Sequence, residues 1–477
     1  MDTTKPTKGL WQPPAGTPIF LEEPDYIRVE TADEDGGKGW LPSGFIEWFV
    51  VAQTAIPAML YLPGSQAYRL PIRIGAYAMA LLAFSVWWFD RGGKRVGRRH
   101  PAEPWLLLVL LLLILMIFHP LTNSILSGTA QTTLYFTIFS AVFWSSGFVD
   151  DPKELRRILA ILLVCNGINA LVGVLQVYDP DRWMPRELSF AFAPNSSALW
   201  ASSFVGPNGR ILIRPPGLYD TPGAVCGAGT TAALLGVIFA LEPRKWWERL
   251  GALFFGFAGV AAIYLSHVRV NLVVLLMMMV IYTAILALHD RKAKAITFGA
   301  TCAGLLTLGL LAAVVLGGEG VRDRFLTLLA DDPTTVYYQN RGAGMQAGFA
   351  EIADKYPLGA GLARWGTMRG YFGNSANLDS TELFAEVQPN AWMLDGGYFL
   401  LGLYGMALIV TFAYDVKIAR AKHFKPDDHA WIAAIVATNI GTMAMVFTFV
   451  PFATQMGLQF WFLEGVLHGA VVKRLRE

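Results

Sequence analysis

The sequence predicts an all-α polytopic membrane protein of about twelve transmembrane helices, with one large helical loop between the ninth and the tenth. Three observations lead there. Hydrophobic residues make up 54% of the chain and charged ones only 16%, against about 25% charged in soluble domains. Apolar runs long enough to cross a hydrocarbon core recur twelve times. Lysine and arginine collect in alternate connections between those runs, as they do in multi-pass proteins.

Taken in order, the runs cover residues 43–63, 71–89, 105–121, 130–148, 158–178, 222–241, 250–267, 270–289, 295–317, 391–414, 429–450 and 455–471. Together they make residues 43–477 one membrane domain. Residues 1–42 mix Pro, Gly, acids and lysine without periodicity and lack the layout of a cleavable signal peptide. They read as a disordered cytoplasmic tail. Prolines and glycines within runs are acceptable where neighbouring helices satisfy the freed backbone groups.

Orientation follows from charge. The tail and the connections at 91–99, 153–157, 244–249, 291–294, 417–425 and 473–476 carry 25 of the 38 basic residues. This is expected to be the cytoplasmic side, with both termini there. On the other side Lys355 is the one lysine among twelve arginines. Topology rules would exclude both residue types equally, but only arginine offers a planar fork of donors for phosphate or carboxylate. An anionic ligand on that outer face is the implication. A near-neutral net charge of +2 gives no reason to expect nucleic acid, and three scattered cysteines in apolar runs suggest neither disulfides nor a thiolate metal site.

Two outer loops are long, 179–221 and 318–390. The first ends in NGRILIRPPGLYDTP, where turn residues hold Arg210 and Arg214 as the chain returns to the membrane. The second, at over 70 residues, exceeds what a connector needs. Within it Gln339–Lys355 has apolar residues Met345, Phe349 and Ile352 at helical spacing, with Arg341 in the first turn. A PLGAG turn follows, then acids Asp379, Glu382 and Glu386 ahead of Gln388-Pro389-Asn390. In SHVRVN, Arg269 sits at the mouth of a tight helix pair, where an ionisable residue is costly and so a functional candidate. His267 beside it titrates near neutrality in water. His267, Glu382 and Glu386 are the candidate proton acceptors; Arg210, Arg214, Arg269, Arg341 and Asn390 are the candidate ligand-binding residues.

Four stretches together resemble the O-antigen ligase and O-antigen polymerase superfamily of bacterial membrane glycosyltransferases. They are GRILIRPPGLYDTPG, SHVRVNLVVLL, NRGAGMQAGFAEIADKYPLGAG and PNAWMLDGGYFLLGLYG, which span residues 209–405 in family order. The resemblance implies a GT-C-like fold and cofactor-free, metal-independent transfer of glycan from a polyprenyl diphosphate carrier to a glycan or lipid-linked acceptor. It implies O-antigen or exopolysaccharide assembly, with a chain-length regulator or export proteins as partners. Arg214, Arg269 and Arg341 match the family's diphosphate-handling arginines. Where the family's ligases have a histidine before the final asparagine, this chain has Pro389, which favours a polymerase over a ligase. A twelve-helix transporter, or a flippase of lipid-linked oligosaccharide, is the alternative suggested by Asp90-Arg91-Gly92-Gly93-Lys94-Arg95. Against it stand Val86 where a glycine is expected, the short link between runs six and seven, and few acids within runs (Glu47, Asp395, Glu464).

Overall fold

The computed structural model describes residues 44–472 apart from 63, 91–98, 150, 187, 189–196, 206–208, 210, 220, 243–244, 331, 378 and 423. The expected tail therefore lies outside the described residues, as does Arg210. The helices are α1 (Phe45–Ala58), α2 (Arg69–Asp90), α3 (Glu103–Met116), α4 (Ile125–Ser145), α5 (Pro152–Tyr178), α6 (Pro180–Trp183), α7 (Ala198–Ala201), α8 (Val225–Leu241), α9 (Trp246–Leu265) and α10 (Arg269–Leu288). After these come α11 (Lys292–Gly317), α12 (Glu319–Ala330), α13 (Pro333–Tyr337), α14 (Ala343–Lys355), α15 (Gly366–Phe372), α16 (Gln388–Arg420), α17 (Pro426–Ala444) and α18 (Gln455–Val472). One short antiparallel hairpin, β1 (Ser203–Val205) and β2 (Ile211–Ile213), interrupts the helical pattern between α7 and α8.

A helix occupies each of the twelve expected segments. Among the described residues, seven helices are long and apolar enough to cross a bilayer: α2, α5, α9, α10, α11, α16 and α17. Their length and composition make the chain a membrane protein. Three more, α1, α3 and α8, are apolar but shorter. The remaining two, α4 and α18, are diluted by Gln, Ser, Thr, Glu and His, and the reason is their position. Almost every side chain of α18 and most of those of α4 are buried within protein, so neither helix needs an all-round apolar surface. Exposed apolar side chains instead line α3 (Leu107, Leu111, Leu115) and α11 (Ile296, Leu308, Val315).

Local chemistry sets the helix ends. Ser124 caps α4 through a reciprocal capping box with Ser127, and Asp151 caps α5 just ahead of Pro152. In α8 and α9 the backbones meet closely at Gly229–Gly259 and Gly236–Gly256, where a Cβ added at Gly229, Gly236 or Gly259 would lie within 2.8 Å of backbone atoms. This is the small-residue contact by which membrane helices gain van der Waals packing.

The long loop is folded, as its composition predicts, and it is anchored at two places. On one side the α3–α4 connector holds it: Leu362 N–H donates to Thr122 Oγ1 at 3.0 Å, Asn374 N–H to Asn123 Oδ1 at 2.6 Å, and Asn123 Nδ2 to Ser380 Oγ at 2.6 Å. On the other side the PLGAG turn enters a break in α16. Gly396 and Gly397 leave helical geometry there, Gly397 at φ 62. The freed backbone groups are taken up by the turn, with Ala360 N–H donating to Leu394 O at 2.7 Å and Tyr398 N–H to Pro357 O at 3.1 Å. Asp395, fully buried beside the break, accepts from Tyr135 Oη (2.8 Å), Trp365 Nε1 (3.0 Å) and Gln131 Nε2 (3.3 Å). One carboxylate thus ties α4, the loop and α16 together.

Gly397→Ala is expected to be severely destabilising. Its Cβ would fall 2.2 Å from Pro357 O at a positive φ, adding a clash to the roughly 1–3 kcal/mol of backbone strain. Gly402→Ala, with open space around it, should leave the thermal-unfolding midpoint in detergent unchanged or higher.

Candidate functional site

The site is assembled from both long loops and the α9–α10 turn. The β1–β2 hairpin sets Phe204 and Arg214: Arg214 N–H donates to Ser202 O at 2.7 Å, and its guanidinium lies 5.3 Å from the centre of the Phe204 ring. The other contact of Phe204 is edge-to-face with His267, at 5.4 Å between centroids. His267 occupies a turn only three residues long, Ser266–Val268, between α9 and α10. To make so tight a reversal it adopts a left-handed φ of 57, uncommon outside glycine. Ser266 Oγ holds the turn by accepting from Val268 N–H at 3.2 Å.

Arg269 opens α10 immediately after this turn. Helix α12 supplies Arg324, between the buried Val321 and Phe325 at helical spacing; Phe325 packs on Tyr264 at 4.8 Å. Arg341 lies in a π-turn that precedes α14 and forms an ion pair with Glu386 near the loop's far end. Asn390 is buried in the first turn of α16, where its side-chain amide presses on Gly348 of α14. The Oδ1 of Asn390 accepts no hydrogen bond.

Electrostatics join these pieces. Burial, and then the nearby charge of Arg341, lowers the proton affinity of Arg214 despite the opposing effect of Cys226. Arg324 is lowered by burial, then by Arg269 and Arg214. For His267, burial followed by Arg214 and Arg324 pushes the imidazole down from 6.5 to about 4. So Arg341, Arg214, Arg324 and Arg269 form a connected run of like charges around a histidine that is neutral at pH 7. The Nδ1 of that histidine is buried and makes no hydrogen bond. A run of guanidinium groups drawn together from separate segments favours the binding of an anion.

The candidates from the sequence divide accordingly. His267, Arg214, Arg269, Arg341 and Glu386 come together, and Asn390 adjoins through α14. Glu382 is exposed and sits between Thr381 and Leu383, whose backbone groups are bonded to Arg364. Arg364 itself is structural: it is buried and donates to Thr381 O and Ala360 O. Arg322 pairs with Glu319 and Asp323 on the surface. Pro389 fills a first-turn position of α16, where no backbone donor is needed, while neighbouring Gln388 bonds Phe449 O and Phe452 N–H. Phe204 and Arg324 join the site without having stood out as candidates; the apolar spacing of Val321 and Phe325 was the available signal for Arg324.

Comparison with protein-family models gave no match, and comparison with curated proteins gave none either.

Because His267 is held below its usual value, its neutral form contributes stability that is complete above about pH 6.5 and is lost as pH falls towards 4. The difference in unfolding midpoint between wild type and His267→Gln should therefore narrow or reverse over that interval and stay constant above it.

Proposed function

We propose that the chain is a glycosyltransferase that polymerises oligosaccharide repeat units carried on a polyprenyl diphosphate. In this reading it is a twelve-crossing, GT-C-like protein of a bacterial inner membrane. The loops at 179–221 and 318–390 lie outside the cytoplasm, and the basic connections lie inside. The observation that carries the reading is a linked set of arginines from four separate segments: Arg214 and Arg324 act on buried His267, Arg341 neighbours Arg214, and Arg269 neighbours Arg324.

A diphosphate would take the place of the mutual repulsion among these arginines, helped by the positive end of α10. In the transfer step a hydroxyl oxygen of the acceptor sugar attacks the anomeric carbon of the donor. The bond from that carbon to the diphosphate breaks, with inversion. Negative charge grows on the departing phosphate oxygen, and preorganised guanidinium groups stabilise that charge most where they need no rearrangement. The hydroxyl proton passes to a neighbouring base. Free His267, held near 4 by burial first and the arginines second, is a weak one; a bound diphosphate offsets the arginine part of that shift and raises its basicity. Glu386, released as the ligand competes for Arg341, is the second acceptor. The missing histidine at Pro389 supports polymerisation over ligation to a lipid acceptor.

Lysine keeps the charge but loses the fork, so Arg214→Lys, Arg269→Lys and Arg341→Lys are each expected to cut polymer by about 100-fold or more while protein remains in the membrane. Gel analysis of extracted glycan, with immunodetection of the protein, is the measurement. Full-length polymer from all three variants would show that the site lies elsewhere.

A further inference from the structure

A second polar centre lies far from the arginines, near the opposite end of α16. Asp415 follows Asp395 by 20 residues, or about 30 Å at helical rise. Around it His100, Glu103, Asn439, Glu464 and His468 are all buried, brought together by the segment leading into α3 and by α16, α17 and α18. Such groups are expensive inside a membrane protein and mark function more often than packing.

The hydrogen bonds fix where the protons are. Ala102 N–H donates to His100 Nδ1 at 3.2 Å, so that nitrogen carries a lone pair and the ring proton is on Nε2. His100 Nε2 points at Glu464 Oε2, 3.4 Å away. The other Glu464 oxygen, Oε1, accepts from Asn439 Nδ2 at 2.7 Å. Glu464 thus accepts through Oε1 from Asn439, while its Oε2 lies near the His100 ring without a hydrogen bond. Asp415 is different. It is fully buried, neither of its oxygens accepts from any donor, and the side chain it adjoins is Glu464. Two adjacent ionised carboxylates facing a neutral imidazole would leave a buried, uncompensated charge costing several kcal/mol. A proton between them removes that cost.

We propose that Asp415 and Glu464 form a proton-binding site, in which Asp415 holds an O–H directed at the Glu464 carboxylate. Release breaks that O–H bond and passes the proton outward, leaving two carboxylates; uptake reverses it. The route out is Tyr414, next in the chain and half-buried, whose hydroxyl is 2.7 Å from His468 Nδ1. Among the described residues, the titratable groups gathered with the pair are His100 and Glu103 from the α3 side, Tyr414 from α16 and His468 from α18, and α17 contributes the amide of Asn439. Nothing in this assignment depends on the glycosyltransferase reading.

The test is infrared spectroscopy of the full-length protein in lipid or detergent at pH 7. Wild type is expected to show a buried carboxylic-acid carbonyl band that is lost in Asp415→Asn, whose amide can donate to Glu464 in place of the proton. Asp395→Asn, which removes the other buried acid of α16, should leave the Asp415 component of the band in place. A second measurement uses wild type and His468→Gln: deuterium exchange of the band should slow in the variant. No such band in wild type, or an unchanged band in Asp415→Asn, overturns the site; unchanged exchange in His468→Gln overturns the route.

Discussion

The structure depends on a loop turn seated in a broken helix. Helix α16 gives up two residues of regular geometry at Gly396 and Gly397, and the PLGAG turn supplies the hydrogen bonds the break leaves unmade. Either half alone would strand buried backbone groups; together they are satisfied. Asp395 locks the joint by accepting from α4 and from Trp365 of the loop. The remainder of the loop, including α14 and the Arg341 turn, is therefore referenced to the bundle and not to solvent. Ile352, Trp365, Ala391 and Leu394 fill the space between α14 and α16 as a small core of their own.

That rigid attachment explains how charges from distant segments can be held close. Guanidinium groups on mobile loops would separate to relieve repulsion. Here Arg214 is fixed by a hairpin stacked on Phe204, Arg324 by a helix anchored through Phe325, and Arg341 by its pair with Glu386. The strained His267 turn sits among them because the α9–α10 link allows no relaxed alternative. An anion bound there would meet donors already held in place. The buried carboxyl pair at the other end of α16 works on the same principle with a smaller ion.

Much of this was legible in the sequence. Hydrophobic run length placed a helix in every expected segment, and turn chemistry located PLGAG and the Gln388-Pro389-Asn390 return. Of the candidate residues, Arg214, Arg269, Arg341, His267 and Glu386 are brought together. What could not be read depended on long-range contact. Nothing local separates Arg364, which is spent on backbone carbonyls, from Arg324, which faces the cluster. The hairpin lies in a stretch too short and too rich in turn residues for a period-two pattern to emerge. Asp415 was hidden by a boundary: the apolar run ends at 414, but α16 continues to Arg420 and carries the carboxylate inside.

The α3–α4 connector adds a consequence for how the molecule is made. Leu362 bonds Thr122 across 240 residues, while Ala360 bonds Leu394 only after α16 exists. A chain emerging from the ribosome has the first partner waiting early and the second absent until nearly the whole loop has been synthesised. Contacts so distant in sequence form late. The joint between the PLGAG turn and α16 can therefore be completed only once residues 394–398 have been made.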